Sequence, residues 1–383
     1  MGNAAHILPS SRARLRTLGL ALLLLLSATL LGCDRRPLEF MYSKSVRVIV
    51  RCIWTAKAYP EGSRPSGVTL YFFRDGEFFS SLTTANVDSC EVQLEKGWYQ
   101  VYMISQSPEE FWKMEFENMT DYRNAAITLK ESSVPWTRGT SDDVVVENPD
   151  VLIAGVADDF EITEEMTEEY QHYYGELRRL QAAKGEDTKS STDEERYFEE
   201  RVQYYTVRIP IYPQNVVSQL WVTIYSGNAD VLKSVRASTS GMARSFELTQ
   251  NTTSESEAVQ IIDQWRLTMD DSNRRVGHVD GIITTLGLPN GESPSVLRDS
   301  TLNVSALLID NATTADYTLY VGDKIQTLSP NPGYRNLYRL VFGSVDDPAI
   351  VPPDVSPPDI SSASGMDATV GEWEDGETIE VPM

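Results

Sequence analysis

Short runs of alternating apolar and polar residues, each closed by a turn signal, constrain this chain more than any other feature. Val46, Val48, Val50, Cys52 and Trp54 share one parity, and Arg47 and Arg51 fall on the other. A period of two marks a strand with one face buried and one wet. Tyr59-Pro60-Glu61-Gly62 and Pro65-Ser66-Gly67 then turn the chain into Val68–Phe73. Asp75-Gly76, between Phe72-Phe73 and Phe78-Phe79, is a two-residue hairpin signal. Ser89–Leu94 and Trp98–Ile104 follow, separated by Lys96-Gly97, the second with Tyr99, Val101 and Met103 on one side. Strands of this length and spacing predict an antiparallel sandwich.

Two interruptions are expected. Ser107-Pro108-Glu109-Glu110 has the serine cap, early proline and glutamate of a helix start, which places Phe111, Trp112 and Met114 over one end of the sandwich. Ala125–Leu129 and Val144–Val146 are further strands, and residues 147–155 lead out of the domain. From 157 to 201 the chain becomes highly charged. Thr163 caps a helix with Glu164 and Glu165 in its first turn, and Met166, Tyr170, Tyr173, Leu177 and Leu180 recur at helical spacing. That stripe predicts packing against a neighbouring domain, although Gly175 weakens the helix by about 1 kcal/mol relative to alanine. Thr192-Asp193-Glu194-Glu195 opens a second helix.

Strands resume at Val202, with Tyr204, Val207, Ile209 and Ile211, and continue through Val216–Tyr225, Val231–Ala237, Arg244–Thr249 and Ile261–Met269. Val276–Leu286, Leu302–Ile309, Tyr317–Val321 and Leu337–Phe342 complete a second sandwich. Residues 346–383 hold ten acids, six prolines and no lysine or arginine, so most of this tail is extended. Its end, Ala368–Trp373 and Thr378–Val381, predicts a terminal strand that docks back onto a sandwich.

The N-terminus carries a targeting signal. Arg12, Arg14 and Arg16 precede an apolar stretch from Leu18 to Leu31 that is too short to span a bilayer. It ends in Leu30-Leu31-Gly32-Cys33, which resembles the bacterial lipobox, whose cysteine is lipidated and becomes the first mature residue. The 351 residues from Cys33 onward carry 30 basic against 56 acidic side chains, a net charge of −26. Such a chain is a poor ligand for nucleic acid or for anionic head groups. Membrane attachment is therefore expected through the acyl chains on Cys33, at about 0.8 kcal/mol per buried methylene.

Little else suggests chemistry. With Cys33 acylated, Cys52 and Cys90 remain, and both share parity with apolar neighbours. A disulfide and two buried free thiols fit that pattern equally well. The mature chain has two histidines, His172 and His278, and no Cys-x-x-Cys, which argues against a metal site. Neither a nucleophile elbow, a zincin motif, a phosphate loop nor a dinucleotide fingerprint occurs. Both histidines are expected at the solvated surface. No catalytic residue and no cofactor is assigned.

The strand motifs Val48–Trp54, Gly67–Phe73, Gly97–Tyr102, Val145–Asp150, Ser240–Ala243 and Val370–Trp373 together resemble those of Bacteroidetes lipoproteins. Those proteins are in turn similar to fimbrial anchor and minor-subunit lipoproteins of the fimbrillin type. The resemblance implies a mainly β chain of two transthyretin-like antiparallel β-sandwich domains, here with a longer helical interdomain insertion. It implies an outer-membrane, lipid-anchored location and fimbrial or other surface-assembly subunits as partners. Such subunits join by exchanging strands, which needs no catalytic residue.

The organisation expected is a signal peptide (1–32), a lipidated tether (33–44), an N-terminal sandwich (45–156) and a charged helical connection (157–201). A C-terminal sandwich (202–345) and the acidic tail (346–383) follow. The function expected is a non-enzymatic lipoprotein that anchors or caps a fimbria-like assembly. The alternative is a surface glycan-binding lipoprotein, suggested by seven tryptophans and eighteen tyrosines. It requires an exposed aromatic platform, whereas the strand settings of Trp54, Trp98, Trp221 and Trp265 suggest that all four are buried.

Overall fold

A computed structural model of the chain describes residues 44–55, 59, 64–133, 144–183, 192–262, 264–292, 299–328 and 333–358. Cys33 and the strand expected at 368–381 lie outside the described residues.

The N-terminal half begins with β1 (Ser45–Cys52), β2 (Val68–Arg74), β3 (Glu77–Thr84), β4 (Ser89–Glu95) and β5 (Gly97–Ser105). The β2–β3 hairpin turns on Asp75 and Gly76, whose φ angles of 53° and 86° are those the two-residue turn demands. Shorter strands follow: β6 (Met114–Glu117), β7 (Ala126–Leu129), β8 (Val145–Val146), β9 (Ile153–Val156) and β10 (Phe160–Ile162). Helices α1 (Glu164–Ala183) and α2 (Asp193–Tyr205) lead into β11 (Val207–Ile211) and β12 (Gln214–Asn215).

These strands make two layers. One sheet has the order β11-β1-β4 and the other β12-β9-β5-β2-β3, with β10 also on β5. Val46, Val48 and Val50 of β1 are fully buried against Leu70, Phe72, Val101 and Met103, as the alternation of their strands requires. Each such side chain removed from water contributes about 1.5–3 kcal/mol. The helices belong to this core. Tyr170, Leu177 and Val202 are buried in it, and the Gln171 side chain donates to the Ser45 carbonyl at 2.6 Å. The aromatic stripe thus packs on the N-terminal sandwich itself. Helix α1 runs unbroken through Gly175, because burial of its neighbours outweighs the local propensity.

The C-terminal half comprises β13 (Ser218–Gly227), β14 (Leu232–Ala243), β15 (Ser245–Glu247), β16 (Thr252–Thr253) and β17 (Glu257–Ile262). Next come β18 (Trp265–Met269), β19 (Val276–Thr285), β20 (Thr301–Leu308), β21 (Thr314–Tyr320), β22 (Gln326–Leu328) and β23 (Leu337–Phe342). A sheet of order β18-β19-β13-β23-β22 faces one of order β21-β20-β14-β17-β8. Between them lie Leu220, Val222 and Ile224, with Leu302, Val304 and Leu308 opposite. The start of the acidic tail is fastened to this sandwich. Ile350 is 1% exposed and bridges Ser226, and Arg275 pairs with Asp354 at 2.5 Å.

Several sequence expectations are corrected here. Val202 and Tyr204 lie in α2, not in a strand, because the capping box at Thr192 starts a helix that runs to Tyr205. Val207–Ile211 opens no second sandwich. It pairs in parallel with β1, a long-range contact that local periodicity cannot reveal. Residues 147–155 do not simply leave the domain, since Ile153–Val156 form a strand on β5. Ile261–Met269 is divided between two strands on opposite sheets, β17 ending at Ile262 and β18 beginning at Trp265. The helix expected after Ser107 is one 3-10 turn, Pro108–Glu110. There the chain extends again to pair β6 with β7, burying Phe111 and Met114 but leaving Trp112 exposed.

The two halves interlock. Strand β8 joins β17 of the C-terminal sheet, and β7 pairs with β15 in a small sheet of order β16-β15-β7-β6. A third core fills the junction with Phe73, Tyr102 and Ile127 from one half and Val217, Phe246 and Leu286 from the other. Asn215, buried where the chain crosses, donates to the Gly333 carbonyl at 2.6 Å and accepts from the Val217 amide at 2.9 Å. A buried amide satisfied on both sides fixes the crossing point.

Candidate functional site

The structure is first described at Lys44, immediately before β1, the central strand of the three-stranded sheet. Lys44 and Lys96 both pair with Glu164, at 3.2 and 3.1 Å. All three are well exposed, so solvent screens both pairs and they contribute little to stability.

Cys52 and Cys90 stand on neighbouring strands of this sheet and face the same core. Cys90 is opposite Val50, two residues before Cys52. Both are buried free thiols. Burial pushes the Cys52 thiol up to about 12, helped by Cys90 and Asp88, and pushes Cys90 up to about 11. Thiolate is the reactive form, so both sites are inert in the folded chain. Neither should react with a thiol reagent at pH 8, and both should react after unfolding in denaturant without reductant. A chain that gains no reactive thiol on unfolding would show the two to be bonded.

The other chemistry-bearing surface is the outer face of the sheet β18-β19-β13-β23-β22. Alternation sends Leu220, Val222 and Ile224 inward and therefore Trp221, Thr223 and Tyr225 outward. Cross-strand register arranges the outer residues in rows. Ile282, Trp221 and Arg339 form one, and Arg266, Asp280 and Thr223 the next. Together they line an open cleft of about 1020 Å³. Trp221 is 36% exposed, and its indole N–H donates to Gln219 Oε1 at 3.3 Å. Trp265 is held at the margin by an indole N–H donated to the Ile262 carbonyl at 2.8 Å. Its ring lies over Gly281, where a Cβ would come within 3.0 Å of it.

His278 also lies in this cleft, more sheltered than expected. Its Nε2 is 3.3 Å from Asp280 Oδ2, and Thr223 Oγ1 donates to Asp280 Oδ1 at 2.7 Å. The order is hydroxyl, carboxylate, imidazole, whereas a nucleophilic triad places imidazole between the other two. His172 is exposed, as expected.

Of the four tryptophans expected to be buried, Trp98 and Trp221 are 48% and 36% exposed, and Trp54 and Trp265 are half-buried. The signal was present in the sequence. Trp98 has the parity opposite to Tyr99, Val101 and Met103, and Trp221 that opposite to Leu220 and Val222. Among the described residues no group of three or more His, Cys, Asp or Glu could hold a metal ion. Among them also, no helix is long and apolar enough to cross a membrane.

Comparison with solved structures places this fold beside one described as "a putative adhesin" from Bacteroides ovatus. That likeness has a TM-score of 0.52 at 16% identity and covers 85% of this chain and 99% of the other. The fimbrial anchor protein Mfa2 from Porphyromonas gingivalis is a more distant neighbour, with a TM-score of 0.43 at 12% identity over 78% of this chain and 90% of its own. The resemblance drawn from the strand motifs is borne out in the fold. No curated protein matches the sequence. Residues 32–263, from the glycine before Cys33 through the N-terminal half and into the C-terminal half as far as the end of β17, match the profile of one family, and the chain belongs to it: the domain of unknown function DUF5119.

Proposed function

We propose that this chain is a non-enzymatic lipoprotein, tethered to the outer membrane through Cys33, that anchors or caps a fimbria-like surface assembly by strand exchange. The observation that carries this reading is the whole-length likeness to the Bacteroides ovatus adhesin fold, which spans 99% of that chain. The likeness also covers 85% of this chain. The lipobox resemblance at Leu30–Cys33 adds the tether.

The sheet edges suit such a role. β21 pairs only with β20, and β3 only with β2, among the described residues. Seven and eight residues long, these strands offer unpaired main-chain groups to an incoming strand. Strand addition takes affinity from those hydrogen bonds and specificity from alternate side chains. Tyr320 at the end of β21 is 69% exposed, well placed to meet such a partner.

The test is recovery of tagged full chain from cross-linked cells. A β-sandwich fibre subunit is expected to come with it, and a Tyr320→Cys variant is expected to cross-link to that subunit. Recovery of the chain alone, after efficient cross-linking, would overturn the proposal.

A further inference from the structure

We infer that the outer face of the sheet β18-β19-β13-β23-β22 is a binding site for an oligosaccharide that carries a carboxylated sugar. Three observations converge on it. The first is the exposed Trp221 ring in the open cleft, with Tyr225 further along the same face beyond Thr223. An indole face is electron-rich and attracts the polarised C–H groups on the apolar side of a sugar ring. The second is the set of polar groups around that ring. Asp280 and His278 hold each other in place and offer fixed hydrogen-bonding atoms for hydroxyl groups. Apolar area with a few positioned polar groups is the usual make-up of a small-molecule site.

The third observation sets the charge of the ligand. Arg339 and Arg266 are exposed at either side of the platform, and neither makes an ion pair among the described residues, although the chain has 56 acids for 33 bases. Three strand spacings and an offset of two residues along the strand separate them, about 16 Å in all. That distance spans more than one sugar ring and lets a guanidinium receive a carboxylate in its fork. A donor strand is not the occupant. At the centre of the face the main chain is already taken up, since Trp221, Thr223 and Asp280 each have a partner strand on both sides. The inference therefore goes beyond strand exchange and stands apart from it: the one uses a sheet face and the other a sheet edge.

The test titrates the purified full chain in detergent with two carboxylated probes, 3′-sialyllactose and trigalacturonate, and with lactose as the neutral control. Calorimetry and tryptophan fluorescence are read together. At least one carboxylated probe is expected to bind at least tenfold more tightly than lactose, and which one separates sialic from uronic acids. Trp221→Ala is expected to weaken that binding at least tenfold. Arg339→Gln should abolish the preference over lactose while the melting curve stays unchanged, so the test survives if Trp221→Ala folds poorly. Fibre subunits should still be recovered with both variants. Binding of neither carboxylated probe would overturn the inference, as would equal binding of lactose. So would both variants matching the unaltered chain, or binding only of a peptide comprising residues 359–383.

Discussion

Cys33→Ser is expected to remove the protein from the outer-membrane fraction while leaving both sandwiches folded. The mature chain carries a net charge of −26, and no helix among the described residues can cross a bilayer. Anionic head groups repel such a molecule, so in the proposed function its attachment rests on acyl chains. Each buried methylene contributes about 0.8 kcal/mol, and more than one chain is needed for a stable anchor. Removing the thiol that accepts the lipid removes that whole contribution. The substitution lies before Lys44, the first described residue, and replaces no residue of the described cores, so circular dichroism and melting should not change. Fractionation of cells expressing the variant measures the effect. A Cys33→Ser chain that stays wholly with the outer membrane would show that something else holds it there.

The second large effect is expected at Phe246. This residue is fully buried in β15, opposite Ile127 of β7 on one side and Thr253 of β16 on the other. The Arg335 guanidinium sits over its ring, 4.8 Å from the centroid, and is itself anchored to Asn251. Phe246 is therefore the point where strands of both halves meet around one side chain. Phe246→Ala leaves a cavity that the flanking strands cannot close without breaking register, and the cost for such a site is about 3–5 kcal/mol. Because the junction core draws on both halves, both should lose stability together. Urea unfolding followed by tryptophan fluorescence and by circular dichroism should show one transition shifted to lower denaturant. A loss below about 1 kcal/mol, at the level of a surface change, would show that the halves do not depend on this junction.

Local patterning made much of this fold legible. The parity of Val46, Val48 and Val50 and the Asp75-Gly76 turn could be read from neighbours alone, because strand faces and hairpin turns are decided within a few residues. The capping box at Thr192 was equally local, and in the structure the Glu195 carboxylate accepts from the Thr192 amide at 2.8 Å. What stayed hidden was decided at a distance. Nothing near Val207 announces that its strand will lie beside β1, and nothing near Phe246 announces β7 as its partner. The outer binding face is an intermediate case. Parity already set Trp221 apart from Leu220 and Val222, but the weight given to tryptophan as a core residue overrode it. Its partners Arg266, Asp280 and Arg339 come together only through the order of the sheet.

The most direct test of the central claim is the mass of the mature N-terminal peptide, taken from protein purified out of membranes. The account predicts a peptide that begins at Cys33 and carries diacylglycerol on the sulfur together with an acyl chain on the new amino group. An unmodified Cys33, or a mature chain that begins at any other residue, would contradict it.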